Sequence, residues 1–152
     1  MKKRDKIFLG ADHAGFSIKE KLKGYLLKKG FAIEDLSKRY KEGDDYPDYA
    51  IKLGEKIAKS KNAKGILICG TGSGMTIAAN KVEGIRAVAA YDTYSAKMSR
   101  EHNDTNVLGL RGREFPFNKI KKIVDVWLNS EFSNADRHKR RLRKISAYER
   151  ER

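Results

Sequence analysis

The chain has 152 residues, 39% of them hydrophobic and 36% charged, with a formal net charge of +14. This length suits one domain over residues 1–152 and hardly two, and apolar clusters recur along it, which excludes an intrinsically disordered chain. No apolar run is long enough to span a bilayer, and the single cysteine excludes both an intramolecular disulfide and a cysteine zinc site. The opening "MKKRDKIFLGADHAGF" lacks the apolar segment and cleavage site of a secretory signal, so a cytoplasmic protein with a reduced thiol is expected.

In chain order, "KIFLGAD" (6–12) reads as a short buried strand. A helix follows, with a capping box from Ser17 and Glu20, one apolar face of Ile18, Leu22, Tyr25 and Leu26, and a stop at Gly30. Residues 31–36 alternate as a strand does. Pro47 suits the first turn of a helix that would bury Ala50, Leu53, Ile57 and Ala58. "GILIC" (65–69) reads as a fully buried strand, and "MTIAANKV" as the helix after it. "RAVAAY" (86–91), "TYSAKMSREH" (93–102) and "NVLGL" (106–110) continue as strand, helix and strand. Ile120, Ile123, Val124, Trp127 and Leu128 mark an amphipathic helix from Pro116, and a last helix from about Asp136 places Leu142, Ile145 and Tyr148 on one face. This alternation predicts an α/β fold with a five-stranded parallel sheet and helices on both faces. Ligands of such sheets bind where the strands end, which directs attention to "ADHAG", "CGTGSG" and "YDTYS".

The glycine run after Cys69 matches neither common phosphate fingerprint. Counted from Gly70, both the P-loop and the dinucleotide pattern require a different residue where Met75 stands. The loop keeps the physics of an anion site, since glycines let backbone N–H groups converge at a helix start. A tight strand-to-helix turn would need the same glycines. Cys69, at the mouth of such a loop, is in a setting that stabilises a thiolate, which can act as nucleophile or base. Basic residues gather in "MKKRDK" and "RHKRRLRKI", suited to an anionic partner or to a solvated surface.

The segments "GADHAGFSIKEKL", "DYPDYA", "CGTGSGMTIAANK", "GIRAVAAYD" and "REHNDTNVLGL" resemble, in order and spacing, the sugar-phosphate isomerase family that includes ribose-5-phosphate isomerase type B. The likeness runs from about residue 7 to residue 145 and takes in "RHKRR". It implies a three-layer Rossmann-like fold and an aldose–ketose isomerase that uses no cofactor and no metal. Such an enzyme works through an enediol(ate), as a homodimer or homotetramer with active sites shared between subunits. On this likeness Cys69 is the base, Thr71 moves a proton between the two oxygens, and His102 opens the sugar ring. Asp12 and Asn103 bind sugar hydroxyls, with His13 near the phosphate end. The backbone of Gly70, Thr71, Gly72, Ser73 and Gly74 stabilises charge on oxygen, although an aliphatic residue is common in the family where Ser73 stands. Arg137 and Arg141, four apart on a helix, bind the phosphate, and Arg113 is a third cation expected to reach across the subunit boundary. Arg140, Arg143 and Lys144 have no such match and read as a solvated face.

Two other functions are open at this level. Within the family, the substrate could be a six-carbon sugar phosphate such as allose 6-phosphate or galactose 6-phosphate. Outside it, the basic ends and glycine loop could serve a nucleotide- or RNA-binding domain, against which stand the failed fingerprints and the lack of an aromatic stacking platform. On the isomerase reading neither nucleic acid nor membrane is a required partner.

Overall fold

A computed structural model describes residues 5–152; most of the basic N-terminal cluster, residues 1–4, lies outside the described residues. Five parallel strands and six helices follow one another as β1 (Lys6–Ala11), α1 (Phe16–Lys28), β2 (Ala32–Asp35), α2 (Tyr46–Ala58), β3 (Lys64–Cys69), α3 (Ser73–Ala79), β4 (Ala87–Ala89), α4 (Thr93–Asn103), β5 (Val107–Arg111), α5 (Phe117–Asn129) and α6 (Asp136–Arg150). The sheet order is β2-β1-β3-β5-β4, so β3 is central and β4 and β2 are edges. The predicted α/β class and parallel sheet are observed. No helix among the described residues is long and apolar enough to cross a membrane.

The sheet carries a core on each face. On one, Leu22 and Leu26 of α1, Ala96 of α4, and Ile120, Ile123, Val124, Trp127 and Leu128 of α5 pack on Ile7, Leu9, Ile66, Ile68, Leu108 and Leu110. On the other, Ala50, Leu53 and Ile57 of α2 and Met75, Ala78 and Ala79 of α3 pack on Phe8, Leu67 and Val107. Inward residues alternate along each strand, which is why the buried runs of β1, β3 and β5 are continuous in sequence.

Several element boundaries differ from the sequence expectation. Helix α1 begins one residue before Ser17, with Gly15 as its N-cap and no side-chain cap, so the Ser17/Glu20 box does not form. Asp12 does the local work instead, its Oδ1 accepting the Gly15 amide at 3.1 Å. Helix α3 begins at Ser73 rather than Met75. Strand β4 shrinks to three residues because Arg86 is drawn away, its amide donating to Asn106 Oδ1 at 2.8 Å and its guanidinium to the Asn103 and Asp104 carbonyls. Ala58 is exposed, one residue past buried Ile57. Along α6 only His138 is buried; Ile145 and Tyr148 of the expected apolar face are exposed and Leu142 is half-buried.

The close approach of α1 to β3 constrains the fold most tightly. A Cβ on Gly15 would lie 2.1 Å from the Ile68 carbonyl oxygen, a backbone atom that cannot swing aside. Gly15→Ala is therefore expected to cost about 3 kcal/mol or more. Gly24, inside α1 with nothing within 4 Å of its Cβ position, gives the control. Gly24→Ala should gain about 0.5–1 kcal/mol from helix propensity. Urea denaturation of the three proteins at one protein concentration checks both signs.

Candidate active site

Three loops meet where β1, β3 and β5 end. Strand β5 runs beside β3 with Arg111 opposite Cys69. The pairing continues past the strands, with the Gly112 amide donating to the Cys69 carbonyl at 2.8 Å and the Arg113 amide to the Gly70 carbonyl at 3.2 Å. A Cβ on Gly112 would touch the Ala14 carbonyl at 3.0 Å and Gly15 Cα at 3.2 Å, so the β1 loop abuts the β5 loop.

Cys69 ends β3 and is 4% exposed. The chain turns at Gly72, whose φ of +83° is the left-handed region that a side chain disfavours. That turn aims the Gly72 amide at the Cys69 sulfur, N to Sγ 3.2 Å. The Ser73 amide donates to Thr71 Oγ1 at 3.3 Å and fixes that hydroxyl. Two of the five residues expected to offer amides to a ligand thus direct them within the loop. Tyr91, after β4, donates to the Thr71 carbonyl at 2.8 Å, and its hydroxyl lies 3.4 Å from Ser73 Oγ. A cavity of about 670 Å³ opens here, lined by Gly70, Thr71, Ser73, Tyr91, Arg111, Arg113 and Glu114.

Asp12 and His13 follow β1, in the loop that abuts the β5 loop through Ala14 and Gly15. Asp12 is 6% exposed, and burial raises its carboxyl pKa above the ordinary value against the hydrogen bond from the Gly15 amide. His13 is tied to Asp44, which accepts from both its amide and its ring.

Arg113 does not project away from this loop. Its Nη1 lies 3.0 Å from the Cβ position of Gly70 in the same chain, because the β3–β5 register carries the turn after Arg111 directly over Gly70. Within one chain Arg113 thus lies beside the loop that follows Cys69.

His102, Asn103, Arg137 and Arg141 form a second group elsewhere. Helix α4 starts beyond the carboxyl end of β4 and returns against the strand direction, so Asn103 ends it near the amino end of β5. Val107 is in register with Gly65 and Arg111 with Cys69, which puts about 13 Å of strand between the two ends. The His102 ring stacks on His138 of α6 at 4.5 Å between centroids. The Ser133 amide donates to the Glu101 carbonyl at 3.0 Å, so α6 and its exposed arginines begin beside the end of α4. One chain therefore brings together Asp12, His13, the Cys69–Gly74 loop and Arg113, and holds His102, Asn103, Arg137 and Arg141 apart from them. Much of "HNDTN" is scaffold. Asp104 and the Thr105 carbonyl bind Arg100, Thr105 Oγ1 accepts from Trp127 Nε1, and Asn106 ties down residues 84 and 86.

Sequence reasoning did not assign Tyr46, Tyr91, Asp44, Tyr49 or His138. The Tyr46 ring lies 2.7–3.0 Å from the Cβ position of Gly74, closing one side of the loop. The signals available were "DYPDYA", quoted only as part of a likeness, and "YDTYS", noted only for its place after a strand. Among the described residues no three His, Cys, Asp or Glu side chains group as a metal site would need.

Residues 7–145 match the Ribose/Galactose Isomerase family. The chain belongs to that family. It is 43% identical to ribose-5-phosphate isomerase B of Escherichia coli over 147 residues, 97% of this chain and 98% of that one. It is 40% identical to the D-erythrulose-4-phosphate isomerase of Pectobacterium atrosepticum, covering 94% of each chain. The crystal structure of ribose-5-phosphate isomerase B from Mycoplasma genitalium with bound ribulose-5-phosphate superposes with a TM-score of 0.92 at 39% identity, covering 97% of each chain. The protein is thus a sugar-phosphate aldose–ketose isomerase with the Rossmann-like fold of that family.

The raised Asp12 carboxyl carries a stability prediction. A carboxyl whose folded pKa lies above its unfolded value opposes folding at neutral pH, and that opposition fades as pH falls through the folded pKa. Asp12→Asn keeps an oxygen for the Gly15 amide and removes the charge. It should be the more stable protein at pH 7, the advantage shrinking toward pH 4, while turnover falls. Thermal melts across that pH range, beside an isomerase assay, check both.

Proposed function

We propose that the chain interconverts ribose 5-phosphate and ribulose 5-phosphate, with Cys69 as the base that moves the proton between C2 and C1. The observation that carries this reading is Cys69 itself, a thiol at the end of the central strand receiving the Gly72 N–H at 3.2 Å. The 43% identity to a ribose-5-phosphate isomerase B supports the substrate. The erythrulose-4-phosphate isomerase at 40% identity shows that the same scaffold serves another sugar phosphate, so substrate kinetics are the test.

The thiolate removes the C2 proton of the open-chain aldose, and the electron pair moves toward the carbonyl oxygen to give the enediolate. The amides of Gly70, Thr71 and Gly74 face the growing negative charge, the Gly72 amide being engaged with sulfur and the Ser73 amide with Thr71. The Thr71 hydroxyl, held by Ser73, carries a proton between the two oxygens, and the thiol returns one to C1. Asp12 accepts a sugar hydroxyl, and Arg113 beside Gly70 attracts the phosphate.

Ring opening and the rest of phosphate binding fall to His102, Asn103, Arg137 and Arg141, which one chain holds at the other end of its sheet. In this reading a second copy supplies them, and the site is complete only in a dimer. Exposed Ile77, Tyr94, Ile145 and Tyr148, on helices flanking edge strand β4, are the apolar surface that such a dimer would cover.

Cys69→Ala should fold and bind sugar phosphate but lose about 100-fold or more in kcat, with solvent exchange at C2 lost in parallel. Mixing Cys69→Ala with Arg141→Ala tests the shared site. Each heterodimer would have one site free of lesions, so random mixing should restore about a quarter of wild-type activity. Heterodimers without activity, confirmed as formed by sedimentation, would place both residues in one chain's site. Side-by-side kinetics with ribose 5-phosphate, D-erythrulose 4-phosphate and allose 6-phosphate decide the substrate, the first being expected to give the highest kcat/KM.

A further inference from the structure

Past the thiol, the backbone carbonyls of the β3 loop are taken one after another. The Cys69 and Gly70 carbonyls accept the Gly112 and Arg113 amides at 2.8 and 3.2 Å, and the Gly72 carbonyl accepts the Thr76 hydroxyl at 2.8 Å. The Thr71 carbonyl between them is taken by a side chain from another strand end, the Tyr91 hydroxyl donating to it at 2.8 Å. Tyr91 reaches it from a backbone fixed on both sides. The Ala90 amide before it donates to the Gly109 carbonyl at 3.3 Å, and Asp92 after it caps α4 by accepting the Ser95 amide at 2.7 Å. The Thr71 carbonyl and the Gly72 amide belong to one peptide group, and a trans peptide points its C=O and its N–H in opposite directions. That group is therefore held at both ends, by Tyr91 on oxygen and by the Cys69 sulfur, 3.2 Å from nitrogen. The φ of +83° and ψ of −17° at Gly72 are those of the third residue of a type II turn. Rotating the preceding peptide by half a turn gives the type I form, with the N–H facing away from sulfur. A residue without a Cβ accepts both signs of φ, so the choice falls to whatever holds the peptide.

We propose that Tyr91 is a positioning residue, whose hydroxyl latches the Thr71–Gly72 peptide so that the Gly72 N–H stays on the Cys69 sulfur while the base moves its proton. The proposal rests on the isomerase reading of Cys69 and deepens it by naming the side chain that holds the base loop.

The neighbours of Tyr91 act in the same direction. A phenol has one proton, and Tyr91 gives it to Thr71, so in the 3.4 Å contact with Ser73 the serine hydroxyl is the donor. The donors then run one way, from Ser73 to Tyr91 to the Thr71–Gly72 peptide to sulfur, and hydrogen bonds in such a chain polarise one another. This gives the Ser73 hydroxyl a use that an aliphatic side chain could not serve. The Ser73 amide meanwhile donates to Thr71 Oγ1 at 3.3 Å, so Ser73 and Tyr91 together fix both oxygens of Thr71. Thr71, Ser73 and Tyr91 all line the cavity at this end of the sheet. A base that must meet one carbon at one distance loses rate when the peptide bonded to it can rotate, whereas groups that only bind the substrate are little affected.

Tyr91→Phe removes only the hydroxyl of a side chain that is 44% exposed, so the fold should survive. The chain has a single Thr–Gly dipeptide, so labelling threonine at its carbonyl carbon and glycine at its nitrogen gives one correlated NMR signal, that of the Thr71–Gly72 peptide. In Tyr91→Phe that signal should shift, and the Gly72 amide proton should exchange with solvent faster than in the wild type. The kcat for ribose 5-phosphate should fall about three- to tenfold, with KM within about twofold. The primary isotope effect with substrate deuterated at C2 should be at least as large as in the wild type, because the slowed step is proton removal. Ser73→Ala should move the same signal in the same direction by less. An unmoved Thr71–Gly72 signal, a loss confined to KM, or a smaller isotope effect in Tyr91→Phe would each overturn the proposal. If Tyr91→Phe does not fold, Ser73→Ala carries the same readings, and a wild-type Gly72 amide that exchanges as fast as an unstructured one would overturn the proposal without any variant. Failure of the isomerase reading would show separately, as a wild type without turnover whose Thr71–Gly72 signal still responds to Tyr91→Phe.

Discussion

The position of β3 between β1 and β5 governs everything at the site. It makes the end of β3 the place where the β1 loop and the β5 loop close on a third, and it leaves no room for error there. The Cys69 and Gly70 carbonyls are claimed by Gly112 and Arg113 from one side. The Ile68 carbonyl is closed off by Gly15 from the other. The backbone before and after the thiol is thus held by neighbours on both flanks, and the only direction left to the chain is the left-handed turn at Gly72. That turn delivers an amide to sulfur. The thiol gains a hydrogen-bond donor from the backbone as a consequence of packing.

The same geometry that concentrates one set of groups disperses another. A parallel sheet sends every helix back toward the amino ends of its strands. A residue at a helix start, such as Thr93, is close to the strand ends, whereas one at a helix finish, such as His102, is a sheet's length away. Arg137 and Arg141 share the fate of His102 because α6 is seated on the end of α4 through the Ser133 amide and the stacked His102–His138 rings. Burial of His138, with Arg137, His102 and Arg141 close by, lowers its pKa and favours an uncharged ring in that stack.

The sequence was most informative where a periodic pattern and a core coincide. The order of strands and helices, the face of α5, the face of α2 apart from Ala58, and the Gly30 stop (φ +87°) follow from local chemistry. Ser17 and Glu20 satisfy a capping pattern that loses to Asp12, a residue outside the helix whose carboxylate is brought to the Gly15 amide by the tight β1 turn. The face of α6 is a true amphipathic pattern that this chain alone does not cover, so periodicity could not say where it packs. Asp44 and Tyr49 were illegible for a different reason. Their partner His13 is about thirty residues away, and nothing in local spacing announces a hydrogen bond that the β2–α2 loop creates only after β1 and β2 have paired.

Charge is the last thing the fold rearranges. The net +14 suggests a uniformly cationic molecule, yet the strand ends carry carboxylates as well, Asp12 and Asp44 in the loops after β1 and β2 and Glu114 beside Arg111 and Arg113 at the cavity. Much of the remaining positive charge is placed on α6, where Arg137, Arg140, Arg141, Arg143 and Lys144 are exposed. A phosphorylated sugar needs acceptors for its hydroxyls and cations for its phosphate. The strand ends carry some of both, with Asp12 near Arg111 and Arg113, and the proposed pairing of two copies would add the arginines of α6 to them.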